Sequence, residues 1–362
     1  MRATAAEDAH AAATPLARVM LGVYTALVAY ASLYPLEGWQ HLGLAPLDYL
    51  LAPWPRYISL FDLTLNVVGY APFGFLFVAS LYPRLSGRGA ASGAIAAAAV
   101  LSIALEAVQT YLPTRFASNV DVLCNTAGAA LGALAGRRFA PWLLLHGPLR
   151  HMRTAFRPGH GVDIGLALLG LWLFTQLNTA TLLFGAGDLR ELFAVPAGKE
   201  RAPEFFAAIE AITAAGNLVV IALLLSALMI PRRAVRPAFV GLVVAALALK
   251  TAAFALITRT DSLAWVTPGA QQGLAAGVLL ALFAVALPRT AGLALAAVLT
   301  MAATVMVNLA PPNPYFTATV RLWHQGQFLN INGVTRVVSA AWPFLALGYL
   351  IFLASRRGGD EK

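Results

Sequence analysis

Ten stretches of this sequence are predominantly apolar and about twenty residues long, the length a helix needs to cross the hydrocarbon core of a bilayer. They cover residues 16–34, 63–82, 90–111, 119–136, 162–183, 211–230, 237–257, 269–287, 290–308 and 334–354. With 59% hydrophobic and 11% charged residues, the chain has too little polar surface to cover a water-soluble globule. We therefore predict an all-α, polytopic membrane protein with about ten transmembrane helices.

Lysine and arginine are distributed unevenly between alternate loops. One set of loops, together with both tails, carries 16 of the 25 basic residues, the other set carries 8, and Lys250 lies within a span. Cytoplasmic loops are the ones enriched in basic residues, so both termini are predicted to be cytoplasmic. These residues form no basic stripe along one face, and the net charge of +9 therefore indicates membrane orientation and not a nucleic-acid partner.

The basic loop after the fourth span divides the chain into two groups of helices. The predicted parts are an N-terminal tail over 1–15, a four-helix module over 16–136, a basic cytoplasmic segment over 137–161, a six-helix module over 162–354 and a C-terminal tail over 355–362. The first apolar run lacks a small-residue cleavage site, so we expect it to remain as a helix. The single cysteine, Cys124, offers neither a disulfide framework nor a cysteine metal site.

Two of the predicted outer segments mix aromatic, proline and amide residues. Residues 35–61 hold two tryptophans among several prolines, which favours an amphipathic segment in the headgroup layer and a lid over the outer face. Residues 309–333 hold His324 and Asn330 as possible accessory residues, and this loop is either a second wall of a site or a connector. No second histidine lies at ligand spacing, so we interpret His324 as a loop residue.

The second and fourth spans begin with the same polar signature. The two sets are Asp62, Asn66 and Gly69, and Asp121, Asn125 and Gly128. Positions i, i+4 and i+7 share one face of a helix, and the two spans run in the same direction across the membrane. Asparagine one turn inside an apolar helix needs a protein partner, so we predict that the two Asp-Asn faces meet around a pseudo-two-fold axis.

Further polar groups gather at the same predicted outer level. Glu106 and Gln109 lie near the end of the third span, and Arg115 lies in the turn that follows. Asp62, Glu106 and Asp121 carry three negative charges, and Arg115 carries one positive charge. If these groups lie close together away from water, one carboxyl must be protonated, a further cation must be present or a metal must bind. Carboxylate oxygens without histidine or cysteine suit Mg²⁺ or Ca²⁺. Either Arg115 pairs with Glu106 or Asp121 and locks the hairpin, or these groups form an outward-facing polar pocket. No catalytic motif indicates a reaction, so enzyme activity stays open.

Other polar residues fall inside the later spans. Lys250 is near enough to the outer interface for its stem to reach water, and the alternatives are a buried salt bridge or an anion contact. Asn178, Asn217 and Asn308 fit either a cavity that opens outward or hydrogen bonds between helices.

The residues of the first module together resemble the VanZ-like family. The matching positions are Asp62, Asn66, Pro72, Gly74, Glu106, Gln109, Arg115, Asp121, Asn125 and Gly128. Gly69 and three of these matching positions, Pro72, Gly74 and Gly128, are predicted to be helix-packing or turn positions. The resemblance covers residues 20–136 and implies a bacterial membrane module associated with resistance to teicoplanin-type glycopeptides, without a defined biochemical activity.

The orientation and the resemblance favour a multi-pass protein of the bacterial inner membrane. Its outward pocket is expected to engage a cell-envelope molecule, such as a lipid-linked glycan or a peptidoglycan precursor. A secondary transporter is the alternative, because spans with intramembrane polar groups can support alternating access. A third possibility is a scaffold that recruits other envelope enzymes. Membrane lipids are expected partners in each case, and the sequence leaves the oligomeric state open.

Overall fold

The structure is a computed structural model that describes residues 2–43, 45–55, 59–145, 152–190, 201–258, 261–311 and 329–356. These residues form an all-helical protein without β-strands, which confirms the predicted all-α class. The long helices are α1 (Arg2–Leu33), α2 (Leu60–Leu81), α3 (Gly87–Gln109), α4 (Asn119–Leu145), α5 (His160–Thr175), α6 (Pro203–Leu228), α7 (Arg232–Ala253), α8 (Pro268–Ala284), α9 (Arg289–Leu309) and α10 (Leu329–Ser355).

Each predicted span overlaps one of these helices, but fewer of the helices qualify as membrane spans. By length and composition, seven helices in the described part of the chain can cross a membrane. They are α1, α2, α3, α6, α7, α9 and α10. Helices α5 and α8 are shorter apolar helices. Helix α4 carries Asp121, Asn125 and two arginines, which reduce its apolar character. A helical membrane protein is therefore supported, while the count of ten spans and the orientation stay predictions.

The chain divides into two compact units, Met1–Thr154 with Pro158–Asp163, and Ala155–Arg157 with Ile164–Lys362. The segment predicted as basic and cytoplasmic over 137–161 differs from the structure at both ends. Helix α4 continues to Leu145, and α5 already begins at His160. The first unit therefore contains α1–α4 and the first turn of α5, and the second contains the rest of α5 and α6–α10.

In the first unit, α2 and α4 are parallel and touch backbone to backbone. A Cβ atom added at any of three glycines would overlap a carbonyl oxygen of the opposite helix; the pairs are Gly74 with Ala129, Gly128 with Val67, and Gly132 with Ala71. Small residues at such positions let membrane helices approach closely. This contact fixes the register of α2 against α4 and thereby sets which polar side chains meet.

The other two predicted packing positions have different roles. Gly69 has open space where a Cβ would stand, and its carbonyl oxygen instead accepts a hydrogen bond from the Tyr24 hydroxyl of α1 at 2.7 Å. Pro72 lies inside α2, so this part of the chain is helix and not a turn. Further from the start of α2 than the polar residues of its first half, Phe73 packs with Ala98 and Ala129 in a buried apolar cluster.

The second unit departs from prediction at the span expected over 162–183. Helix α5 ends at Thr175, and residues 176–190 continue as turns that are largely buried. The Asn178 side chain accepts a hydrogen bond from the amide of Ala180 at 2.9 Å, a local turn that competes with helix. Apolar composition predicted one continuous helix here, and the prediction was wrong because asparagine and threonine favour such turns.

Candidate functional site

The start of α2 and the start of α4 are joined by a side-chain hydrogen bond. Asn66 Nδ2 donates to Asp121 Oδ1 at 2.8 Å, because the parallel register brings the first turns of both helices together. Asp62 lies one turn earlier on α2, is exposed, and is close enough to Asp121 to interact with it electrostatically. The two Asp-Asn faces therefore meet, but not symmetrically, since Asn125 bonds elsewhere.

The C-terminal end of α3 brings Glu106 to the same level. Glu106 is only 4% exposed, and its Oε2 accepts a hydrogen bond from the Ser118 amide at 2.8 Å. Ser118 directly precedes α4, so this bond ties the end of α3 to the start of α4. Glu106 and Asp121 are near enough for their charges to interact. A buried carboxylate with one backbone donor retains capacity to accept further hydrogen bonds.

A second polar level lies one helical turn deeper. Asn125 Nδ2 donates to Ser102 Oγ at 2.9 Å, and the Tyr70 hydroxyl lies beside Ser102. Positions four residues apart share a helix face, which places Tyr70 under Asn66, Asn125 under Asp121, and Ser102 under Glu106. We call the set formed by Asn66, Tyr70, Ser102, Glu106, Asp121 and Asn125 the polar column.

Sequence reasoning missed two members of the polar column, Tyr70 and Ser102. Tyrosine and serine in an apolar helix are common enough to attract no attention alone. The available signal was their spacing, because each lies exactly one turn from a residue that had been selected, Asn66 or Glu106. Ser118, in the turn before α4, supplies the backbone amide that donates to Glu106.

Arg115 and Gln109 donate hydrogen bonds to backbone carbonyl oxygens at the end of α1. The Arg115 guanidinium donates through Nε to the carbonyl oxygen of Tyr34 at 2.8 Å, and its Nη2 donates to the same oxygen. Gln109 Nε2 donates to the carbonyl oxygen of Ser32 at 2.8 Å. Burial lowers the pKa of Arg115, and the nearby charge of Glu106 opposes that shift. Both side chains therefore fasten the end of α3 and its loop to the end of α1.

The segment predicted as a lid lies against the same end of the first unit. The Tyr49 hydroxyl donates to the carbonyl oxygen of Ile103 at 3.0 Å, and Asn119 Nδ2 donates to the carbonyl oxygen of Ala52 at 2.7 Å. Burial raises the pKa of Tyr49, and the negative charge of Glu106 adds to the shift. The segment also presents Leu51 with 94% of its surface exposed, as expected of a residue that meets the membrane interface.

In the second unit, Lys250 is buried, with 1% of its surface exposed, so of the alternatives for this residue the one in which its stem reaches water does not apply. Its Nζ donates to the carbonyl oxygens of Asn178 and Thr181 at 2.7 and 3.0 Å, and lies 5.8 Å from the ring centroid of Phe254. The carboxylate of Glu210 is close enough to interact electrostatically with this ammonium group. Lys250 therefore holds the irregular segment 176–190, whose carbonyl oxygens lack helical partners.

Two asparagines on neighbouring helices support the same segment. Asn217 on α6 donates to the carbonyl oxygen of Phe184 at 2.9 Å, and Asn308 on α9 donates to that of Gly187 at 2.6 Å. Of the two alternatives for Asn217 and Asn308, these contacts favour structural hydrogen bonds over the lining of an outward cavity. The predicted accessory residue His324 and the side chain of Asn330 lie outside the described residues.

The described residues contain no group of three or more His, Cys, Asp or Glu side chains that could hold a metal ion. Asp62, Glu106 and Asp121 thus share one end of the unit without converging on a single point. The polar column is instead a hydrogen-bonding arrangement of carboxylate, amide and hydroxyl groups.

The fold and the polar column define a helical membrane protein with a polar site at one end of its first unit. Residues 19–140, about a third of the chain, match the model of the VanZ/LLP1 family. This match confirms the VanZ-like resemblance for that segment, which includes every residue of the polar column. No curated protein and no solved structure matches the chain.

Proposed function

We propose that the first unit binds a lipid or glycan-linked molecule of the bacterial cell envelope through its polar column. The observation that supports this proposal most is the increase of burial along the column. Asp62, just outside the column at the start of α2, is exposed. Within the column, Asn66 and Asp121 are half-buried, and Glu106 and Ser102 are buried. A polar group entering from the exposed end meets hydrogen-bonding side chains at successive depths.

The predicted orientation places this end of the column at the outer face of the inner membrane. The lid segment around Tyr49 then lies in the headgroup layer, where exposed apolar residues such as Leu51 anchor it. A headgroup in that layer has direct access to the exposed end of the column. Binding to a lipid-linked precursor at this place also offers a route to glycopeptide resistance, because it changes how the antibiotic meets its target.

Hydrogen-bonding capacity supports binding more directly than catalysis. Glu106 and Asp121 each accept a single hydrogen bond from the protein among the contacts given above, which leaves acceptor capacity for a ligand. Charge-assisted hydrogen bonds of this kind are among the stronger ones available to a protein. The column thus provides the means to hold a polar headgroup within an apolar bundle.

The test is a binding measurement on the full-length protein in lipid nanodiscs. The probes are monoglucosyl diacylglycerol, phosphatidylglycerol and a polyprenyl-linked peptidoglycan precursor, detected by native mass spectrometry. We expect Asp121→Asn and Glu106→Gln to weaken binding of the preferred probe by about tenfold each. Asp261→Asn, the same chemical change on an exposed turn of the second unit, is the matched control. Equal binding by all variants would contradict the proposal.

A secondary transporter is the second candidate function, and one observation favours it. Transporters often bind their substrates where a helix is interrupted inside the membrane. The interrupted segment 176–190 is buried and is held by Lys250, Asn217 and Asn308. Ion-dependent flux of a substrate by the wild-type protein in liposomes would support transport, and flux equal to that of empty liposomes would remove it.

A further inference from the structure

Two buried polar atoms at the deep level of the polar column make no hydrogen bond of normal geometry within the described residues. They are the Oδ1 of Asn125 and the hydroxyl oxygen of Tyr70. The Tyr70 hydroxyl is near Ser102, which is its one polar side-chain neighbour named at this level. Both residues are more than nine-tenths buried, with 6% and 4% of their surface exposed. Unsatisfied polar atoms at such depth are uncommon in native proteins, and each calls for a partner.

The two atoms require different things of that partner. The Asn125 Oδ1 only accepts hydrogen bonds, because the amide nitrogen of this side chain is already used by Ser102. The Tyr70 hydroxyl donates one hydrogen bond and also accepts. A metal ion cannot accept from tyrosine, an ammonium group only donates, and a phosphate oxygen only accepts. A hydroxyl group both donates and accepts, so it can satisfy both atoms.

The shallow level of the column offers further acceptors. The carboxyl oxygens of Glu106 and Asp121 each accept one hydrogen bond from the protein and can accept more. The hydroxyl groups of a ligand therefore find acceptors at this level as well.

We infer that the polar column binds the hydroxyl groups of a sugar headgroup, with Tyr70, Ser102 and Asn125 recognising the hydroxyl that enters most deeply. This inference rests on the proposed binding function and specifies its ligand class. The two levels are one helical turn apart, about 6 Å. Hydroxyl groups on opposite sides of one sugar ring can bridge such a spacing.

The experiment compares monoglucosyl diacylglycerol with phosphatidylmethanol of the same acyl chains, an anionic lipid whose headgroup has no hydroxyl, in nanodiscs containing the full-length protein. Tyr70→Phe removes a single oxygen from the deep level, and Asn125→Leu removes the amide while keeping the number of side-chain heavy atoms. Each variant is expected to bind the glucosyl lipid about tenfold more weakly, with phosphatidylmethanol binding unchanged. Tyr24→Phe is the matched control, because it removes a tyrosine hydroxyl in the same unit outside the column.

The possible outcomes separate this inference from the proposed function. If Asp121→Asn weakens glucosyl lipid binding but Tyr70→Phe and Asn125→Leu do not, the deep level holds only water and the inference is overturned while the binding function stands. Equal loss of both lipids in Tyr70→Phe also overturns the sugar assignment. If the wild type binds none of the probes, the proposed function itself fails. Thermal unfolding of each variant verifies that the protein remains folded.

Discussion

Helices α2–α4 of the first unit and α6–α8 of the second share one packing device. In each unit a pair of parallel helices is in close contact through glycines spaced four residues apart on the later helix. In the second unit these are Gly269, Gly273 and Gly277, and a Cβ on them would press against Ala207, Ala211 and Ala215 of α6. In the first unit Gly128 and Gly132 have the same role. The helix between the pair runs in the opposite direction and carries a buried charge near its end.

The difference lies in that charge and in its partners. In the second unit, Lys250 donates to two carbonyl oxygens, and Glu210 accepts from the Thr267 hydroxyl at 2.5 Å. In the first unit, Glu106 keeps acceptor capacity, and Asn125 below it retains an unpartnered oxygen. Glycine contacts alone therefore do not define a site. We interpret the Lys250 centre as structural because its ammonium group donates to backbone carbonyl oxygens, and the Glu106 centre as a binding centre because its carboxyl oxygens keep capacity to accept from a ligand.

The largest effect is expected from Lys250→Met, which removes a charge that we interpret as structural. Loss of the ammonium group leaves two carbonyl oxygens without a donor and Glu210 without its neighbouring charge. We expect a loss of about 3–5 kcal/mol of stability, measured by thermal or denaturant unfolding in detergent. The double variant Lys250→Met/Glu210→Gln should recover part of this loss. A Lys250→Met protein as stable as the wild type would remove the structural interpretation.

Substitution of the glycines at the two close helix contacts, α2 with α4 and α6 with α8, should destabilise the two units similarly. In Gly132→Ala and Gly273→Ala the added methyl group collides with the opposite backbone, so we expect losses of about 1–3 kcal/mol in each case. Gly22→Ala is the control, because its methyl group would enter open space and a helical alanine is favoured over glycine by about 0.5–1 kcal/mol. If only one of Gly132→Ala and Gly273→Ala is destabilised, the two units do not share this mode of helix packing.

Glu106→Gln should show the opposite pattern to Lys250→Met. Glutamine keeps an oxygen for the Ser118 amide, so we expect a change in unfolding free energy within about 1 kcal/mol. Probe binding should fall while folding is retained. Unfolding curves and nanodisc binding on the same preparation provide both quantities, and a strongly destabilised Glu106→Gln would assign this residue to structure as well.

The smallest effect concerns the lid segment. Tyr49→Phe removes the hydrogen bond to Ile103, and we expect a local loss of about 1 kcal/mol. Because the folded protein raises the pKa of Tyr49, its protonated form contributes stability below the ordinary tyrosine pKa of about 10, and that contribution is lost as pH rises through the folded-state pKa. Hydrogen-exchange protection factors in the lid, which are corrected for the base catalysis that speeds exchange of every amide, should therefore fall at high pH in the wild type. An equal fall in Tyr49→Phe would exclude Tyr49 as the cause.

Much of this arrangement was accessible from local sequence patterns. Apolar length predicted a helix at every one of the ten stretches, because helix formation in an apolar environment depends mainly on the segment itself. The repeated spacing of Asp62 with Asn66, and of Asp121 with Asn125, predicted which residues share a face. The direction of Gln109 and Arg115 was not accessible, because their acceptors are carbonyl oxygens of α1, and every residue carries such an oxygen.

The sequence by itself determined the helical class, the family of the first module and the helix faces that carry polar groups. Only the tertiary structure decided which faces meet, because backbone contact at Gly128 and Gly132 sets the register that joins Asn66 to Asp121 and Asn125 to Ser102. It also decided that Lys250 is enclosed, since the acceptors that hold its ammonium group come from a segment that composition had assigned to a helix. Hydrogen bonds between distant parts of a chain depend on distance and direction, and these quantities arise only on packing.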